Sequence, residues 1–269
     1  MTGIENKSIA FTKASACGND FLIVAGDGVG ELSELTRRLC DRHNGVGADG
    51  VEWTFSDAES DVRVRLFNAD GSEAEISGNG TRCVAGEICS RTARQEVKVR
   101  TAAGVKTCRL IERRGREFDF ESDMGRADVG GELSIETMWV RAVGTQVSMG
   151  NPHFVIFVEK FPEDWRKQAA LIQTQQQFPQ GTNVEYVVVR GANEIEIRLF
   201  ERGVGETLSS GTGSCASAVA AIGGRRATSP VNVVAPGGAQ TVRWEHETAL
   251  NRVYLRGPAR LVCRGEYFL

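Results

Sequence analysis

Apolar and polar residues alternate strictly over VRVRLF (62–67) and again over IEIRLF (195–200), a period-two pattern that predicts two half-buried strands. A different pattern follows each of them. After Ser77-Gly78-Asn79-Gly80 and Ser210-Gly211-Thr212-Gly213 the residues are small, apolar and free of proline, so a helix is expected to start at each glycine turn. The stretches EVKVRTAAGVKTCRLI (96–111) and NRVYLRGPARLVC (251–263) are rich in β-formers with glycine between short runs, and both predict hairpins. DWRKQAALIQTQQQ (164–177) and ELTRRLCDRH (34–43) have amphipathic spacing and predict two outer helices with a packing role.

The chain also repeats itself. Val64–Ala85 lies over Ile197–Ala218 without a gap at a shift of 133 residues, with eight of 22 positions identical. VKVRTAAGVKTCRL from Val97 matches VNVVAPGGAQTVRW from Val231 at a shift of 134, and Gly18-Asn19 matches Gly150-Asn151 at 132. Three blocks in the same order and spacing mean two copies of one structural unit. The expected fold is α+β and duplicated: two similar domains, each a mostly antiparallel or mixed β-sheet wrapped around a central helix. The copies are divided in the glycine-rich MGRADVGGE, near Gly125–Gly131. This gives residues 1–125, completed by a C-terminal strand 262–269, and residues 126–261.

Composition narrows the chemistry. A chain of 269 residues with 41% apolar and 25% charged residues can bury a core in each of two domains. A net charge of -3 without like-charge runs leaves no footprint for nucleic acid, and a small-molecule partner fits better. The opening MTGIENKSIAF lacks the apolar centre of a secretory leader and no run of about 18 apolar residues occurs, so the expectation is a cytoplasmic protein without membrane contact. Seven dispersed cysteines, never in C-x-x-C pairs, and three scattered histidines argue against disulfides and a bound metal.

The two glycine turns are where chemistry is expected. The first four N–H groups of a helix lack intrahelical partners, and with the positive end of the helix dipole they suit an anion such as a carboxylate. An isolated S-G-x-G is most simply a serine N-cap, worth about 1 kcal/mol. Its recurrence at equivalent places in both copies favours instead two helix starts that act on opposite sides of one molecule, with Ser77 and Ser210 in front. Neither turn fits a Walker or dinucleotide-binding glycine pattern.

Ordered motifs then cover nearly the whole chain: GNDF (18–21), RHNGVGADG (42–50), FNADGSEAE (67–75), SGNGTRC (77–83), GNPHF (150–154), FPQGTNVEY (178–186), ERGVGETLSSGTGSC (201–215) and APGG (235–238). In these the chain resembles the diaminopimelate epimerases. The resemblance implies two similar domains and an isomerase that uses neither pyridoxal phosphate nor any other cofactor. The reaction it implies interconverts LL- and meso-2,6-diaminoheptanedioate, on the route to lysine and peptidoglycan, by two-base transfer of the α-proton. It also implies a homodimer. Carried over by position, Asn19, Asn68, Asn151 and Asn183 would hold the amino and carboxylate groups of the substrate's non-reacting end or frame the reacting one. Glu201 would meet the reacting ammonium and Arg202 the distal carboxylate region, while the amides at Gly78, Asn79, Gly211 and Thr212 would cradle the reacting carboxylate. His153 would stand near the reacting centre as an auxiliary catalytic group.

One departure strikes at the chemistry. The positions of the family's two catalytic cysteines hold Ser77 and Ser210. A helix N-terminus can bring a thiol of pKa about 8.5 within reach of neutral pH, but not a serine hydroxyl. Three readings stay open: replacement made to trap a complex, a lineage with altered chemistry, or a fold kept for binding. Cys17, two residues before Asn19, and Cys215, inside the second helix, are thiols that could serve as a surrogate base, with burial in a core as the plainer role for both. Competing functions are a non-catalytic amino-acid-binding protein and another racemase or dehydratase of the same fold.

Overall fold

The computed structural model describes residues 8–248 and 250–269. The N-terminal heptapeptide, on which the leader-free reading rests, lies outside the described residues. The chain divides into two compact units, one running to Ser122 and including Gly257–Leu269, the other Asp123–Arg256.

In the first unit the elements run β1 (Ser8–Ala16), β2 (Asn19–Ala25), α1 (Leu32–Cys40), β3 (Gly50–Phe55), β4 (Val62–Asn68), β5 (Glu73–Ala74), α2 (Gly78–Arg91), β6 (Glu96–Thr101), β7 (Gly104–Arg114) and β8 (Glu117–Arg126). The second follows with β9 (Asp128–Glu136), β10 (Arg141–Ser148), β11 (Pro152–Phe157), α3 (Trp165–Gln173), β12 (Asn183–Gly191), β13 (Glu194–Glu201), β14 (Gly205–Thr207), α4 (Gly211–Gly223), β15 (Val231–Ala235), β16 (Gly238–Trp244) and the start of β17 (Arg252–Phe268), whose residues from Gly257 on belong to the first unit, as the end of β8 from Asp123 on belongs to the second. Strand pairing is the same in both. β1–β2, β3–β4 and β6–β7 are antiparallel while β2–β3 and β4–β6 are parallel. Their counterparts β10–β11, β12–β13, β15–β16, β11–β12 and β13–β15 repeat each direction. The fold is α+β and duplicated, as the repeat predicts.

In each unit the strands pack around a central helix. α4 (GTGSCASAVAAIG) has no polar face, the polar face of α2 (GNGTRCVAGEICSR) is confined to its last turns at Glu87, Ser90 and Arg91, and both helices are buried over most of their length. Small side chains make this possible, because a helix covered on all sides needs a thin waist. Cys83, Val84 and Ala85 of α2 meet Val64, Leu66, Val97, Phe118 and Phe120, and Cys215, Ala218 and Val219 of α4 meet Ile195, Ile197, Val231 and Val242. The outer helices cover the other side: α1 sets Leu32, Leu35 and Leu39 on Leu22, Val24 and Trp53, and α3 sets Trp165 and Ile172 on Phe154 and Tyr186.

Two expectations shift. NRVYLRGPARLVC is not a hairpin but part of one 17-residue strand, β17, whose burial alternates through Gly257 and Pro258. Gly257 marks a close approach rather than a turn, since a Cβ there would lie 3.1 Å from the guanidinium carbon of Arg82. Helix α1 stops at Cys40, three residues before His43, because the Asp41 carboxylate accepts the N–H groups of His43 (2.7 Å) and Asn44 (2.8 Å) and turns the chain. The glycine-rich MGRADVGGE is itself extended, lying in the end of β8 and the start of β9. No described helix is long and apolar enough to cross a membrane.

Candidate active site

In the first unit the β1–β2 turn and the start of α2 meet. Cys17 (φ 46°) and Gly18 (φ 84°) both adopt the left-handed conformation of a tight hairpin turn, which sets Asn19 beside the helix. Ser77 is the N-cap of α2, and its Oγ accepts the Gly80 N–H at 3.1 Å. Asn79 Nδ2 donates to Asn19 Oδ1 at 2.7 Å, and Arg82 Nη2 donates to Asn79 Oδ1 at 2.5 Å. Asn19 Nδ2 donates onward to Asp49 at 3.3 Å. Burial alone would raise the carboxyl of the adjoining Asp20, but Arg42 and Lys13 outweigh it and hold it at about 2. Asn68 sits apart at the exposed end of β4 and donates to Ser72 Oγ at 3.1 Å. Cys17 Sγ lies 3.8 Å from Arg82 Nη2; burial raises its thiol pKa and Arg82 only partly opposes this.

In the second unit Ser210 is the N-cap of α4, with Oγ accepting the Gly213 N–H at 3.2 Å. Asn151 Nδ2 reaches Thr212 Oγ1 at 3.4 Å, and Asn151 Oδ1 faces His153 Nε2 at 3.0 Å. His153 Nδ1 in turn faces Glu185 at 2.7 Å, both side chains being buried. Asn183 donates to the Pro152 carbonyl at 2.9 Å and accepts the Arg202 N–H at 2.9 Å, tying β11 to the β13–β14 turn. Arg202 itself is exposed and donates to the Gln180 carbonyl at 3.0 Å. Burial raises the Glu201 carboxyl, opposed by donation from the Thr207 hydroxyl (2.7 Å), by the nearby His153 and, least, by the nearby Ser210 hydroxyl. Cys215 is wholly buried among the apolar residues packed on α4.

Two buried carboxyls were not among the candidates. Glu52 on β3 and Glu185 on β12 occupy duplicated positions, 133 residues apart, under the first turn of α2 and α4. A Cβ on Gly80 would lie 1.7 Å from Glu52 Oε1, and one on Gly213 would lie 2.6 Å from Leu199 Cδ2 and 3.1 Å from Glu185 Oε1, so each helix start needs glycine there, against the carboxyl in the first copy and chiefly against Leu199 in the second. Glu185 has His153; Glu52 Oε1 has no partner, and burial pushes the Glu52 carboxyl up to about 8. Their signal was in the repeat: Val51-Glu52-Trp53 recurs as Val184-Glu185-Tyr186.

Each half can therefore offer a carboxylate the amides of a helix start, an oriented asparagine and a hydroxyl in front. Among the described residues no group of three His, Cys, Asp or Glu side chains is placed to hold a metal. Solved structures with the same fold include a phenazine biosynthesis protein of the PhzF family from Bacillus anthracis (TM-score 0.71, 16% identity, 98% of this chain and 100% of that one). Another is a hydroxyproline epimerase from Agrobacterium vitis (TM-score 0.67, 14% identity, 97% and 91%). Among curated proteins, the diaminopimelate epimerase of Desulfovibrio desulfuricans is 35% identical over 97% of this chain and 99% of its own length. That of Pelotomaculum thermopropionicum is 38% identical over 96% and 98%. The family model named Diaminopimelate epimerase matches residues 11–129 and 145–262, once over each half of the repeat, and the chain belongs to this family.

Proposed function

We propose that this chain binds 2,6-diaminoheptanedioate and interconverts its LL and meso isomers without a cofactor, at a rate held down by hydroxyls in place of thiols. The observation that carries this reading is the duplicated helix start: Ser77 and Ser210 cap α2 and α4 in the same geometry, each taking the helix's third amide. Removing an α-proton leaves charge on the substrate carboxylate, and the amides opening each helix are aimed to stabilise an anion. One copy supplies the base and the other the acid, and the roles exchange with direction.

The two hydroxyls are not equal in this scheme. The Ser210 hydroxyl is close enough to Glu201 to oppose the rise that burial gives its carboxyl, so a carboxyl that can accept the proton one step removed stands near it. Ser77 bonds to the Gly80 amide, and no carboxylate among the described residues bonds to it. Proton removal on the Ser77 side is therefore the slow step. In deuterated water, α-deuterium should enter one isomer ahead of inversion, and S77C should raise the inversion rate more than S210C does. Restoring both thiols with S77C/S210C should raise epimerisation by about 100-fold or more. Equal rates for the double variant and the parent would sink the proposal, and silence of both with intact binding would make the chain an amino-acid binder. Calorimetry with the LL and meso isomers tests binding itself, and no heat from either removes the substrate assignment. In this reading the protein acts in the cytoplasm as a homodimer, which sedimentation velocity checks.

A further inference from the structure

Arg82 is 1% exposed, yet its partners among the described residues are uncharged: the Pro258 carbonyl (3.3 Å), Cys17 Sγ (3.8 Å) and Asn79 Oδ1 (2.5 Å). A buried cation without a counter-charge is costly, so its place needs a reason. The surroundings are fitted to it. Gly257 keeps β17 clear of the guanidinium, and Nη1 lies 3.9 Å from where a Cβ on Gly78, the first residue of α2, would stand.

A guanidinium can only donate, and this fixes the direction of every bond beyond it. With Asn79 Oδ1 taken by Arg82, Asn79 must turn its Nδ2 to Asn19 Oδ1, and Asn19 must then present its own Nδ2. The relay ends on the Asp49 carboxylate, which can only accept. The second unit reaches the same result by other means. At a shift of 133 the place of Arg82 is held by Cys215, but Asn151, the counterpart of Asn19, has its Oδ1 against His153 Nε2 and its Nδ2 toward Thr212. Two unrelated donors thus occupy the same amide oxygen in the two copies, so that the amide nitrogen faces outward as a donor, with one of its two hydrogens given to Asp49 in the first copy and to Thr212 in the second.

We propose that Arg82 is a positioning residue which, through Asn79, fixes the Asn19 and Asn79 amides as donors, so that the start of α2 selects a carboxylate and rejects an ammonium group. The proposal rests on the reading of that helix start as a substrate half-site. In calorimetry with meso-diaminopimelate, R82M should weaken affinity roughly tenfold. N79A should cost about as much, and R82M/N79A should be no weaker than either single variant, because the arginine acts through the asparagine. R82K, which keeps a charged donor, should fall between R82M and the parent. Additive losses in the double variant, or R82M affinity equal to the parent's, would overturn the proposal. The unaltered protein gives a second measurement should R82M fail to fold: the Asn79 side-chain amide hydrogens, read by ¹⁵N-resolved exchange, should be protected by Asn19 Oδ1, and exchange as fast as a free amide overturns the relay. If the parent binds neither isomer, the substrate assignment falls, while the exchange measurement still decides what Arg82 does.

Discussion

Glu52 and Glu185 show how one residue, used twice, acquires two characters. Both are buried with one oxygen unpartnered, but Glu185 faces an imidazole that opposes the rise burial gives its carboxyl, whereas Glu52 has no such neighbour and its carboxyl is raised from 4.5 to about 8. Glu52 therefore stays neutral in the fold at pH values where it ionises in the unfolded chain. Its contribution to stability is full below about pH 4.5 and is lost as the pH climbs toward 8. E52Q, neutral in both states, should be more stable than the parent by about 3 kcal/mol at pH 7 and equal to it near pH 4, measured by urea unfolding across that range. A parallel pH dependence in the two proteins would contradict the assignment. Asn19, Asn79 and the two serines were legible in the sequence because they lie in contiguous motifs beside glycine turns. Glu52, Glu185 and Arg82 were passed over because a charged residue in a strand or helix reads as surface, and only the tertiary fold puts them inside.

At the scale of the element, the glycines of the helix starts carry the packing. Gly80 leaves room for the Glu52 carboxyl, so G80A should destabilise the first unit by about 3 kcal/mol, and the loss should shrink by more than half in an E52A background. Thermal unfolding of the four proteins reads this coupling, and an unchanged loss would show that the crowding lies elsewhere. Strands β4 and β13 announce themselves by alternation because each has one face on a central helix. Helix α4 has no amphipathic stripe to find and α2 has only a short one in its last turns, since strands surround both, and what reveals them is a glycine turn followed by small residues. β17 was misread for a related reason. Gly257-Pro258 has the composition of a turn, but the glycine answers to Arg82 on a neighbouring helix, a demand invisible along the strand itself.

At the scale of the whole molecule, the chain is two copies of one pairing scheme, and the first copy includes the last residues of the sequence. Ser8–Ser15 of β1 pair with Arg260–Phe268 of β17 in antiparallel register. Removing residues 262–269 should strip amide-exchange protection from β1 while leaving β10–β13 protected, and a uniform loss across both units would argue against this independence. The same pairing has a consequence in time. A ribosome makes β1 before the other described strands and Arg260–Phe268 of β17 after them, so the edge of β1 that β17 covers stays bare while the whole of the second unit is made. The half of the protein that is made first is the half that must finish folding last, and during that wait β1 is where a chaperone, or a second unfinished chain, would find it.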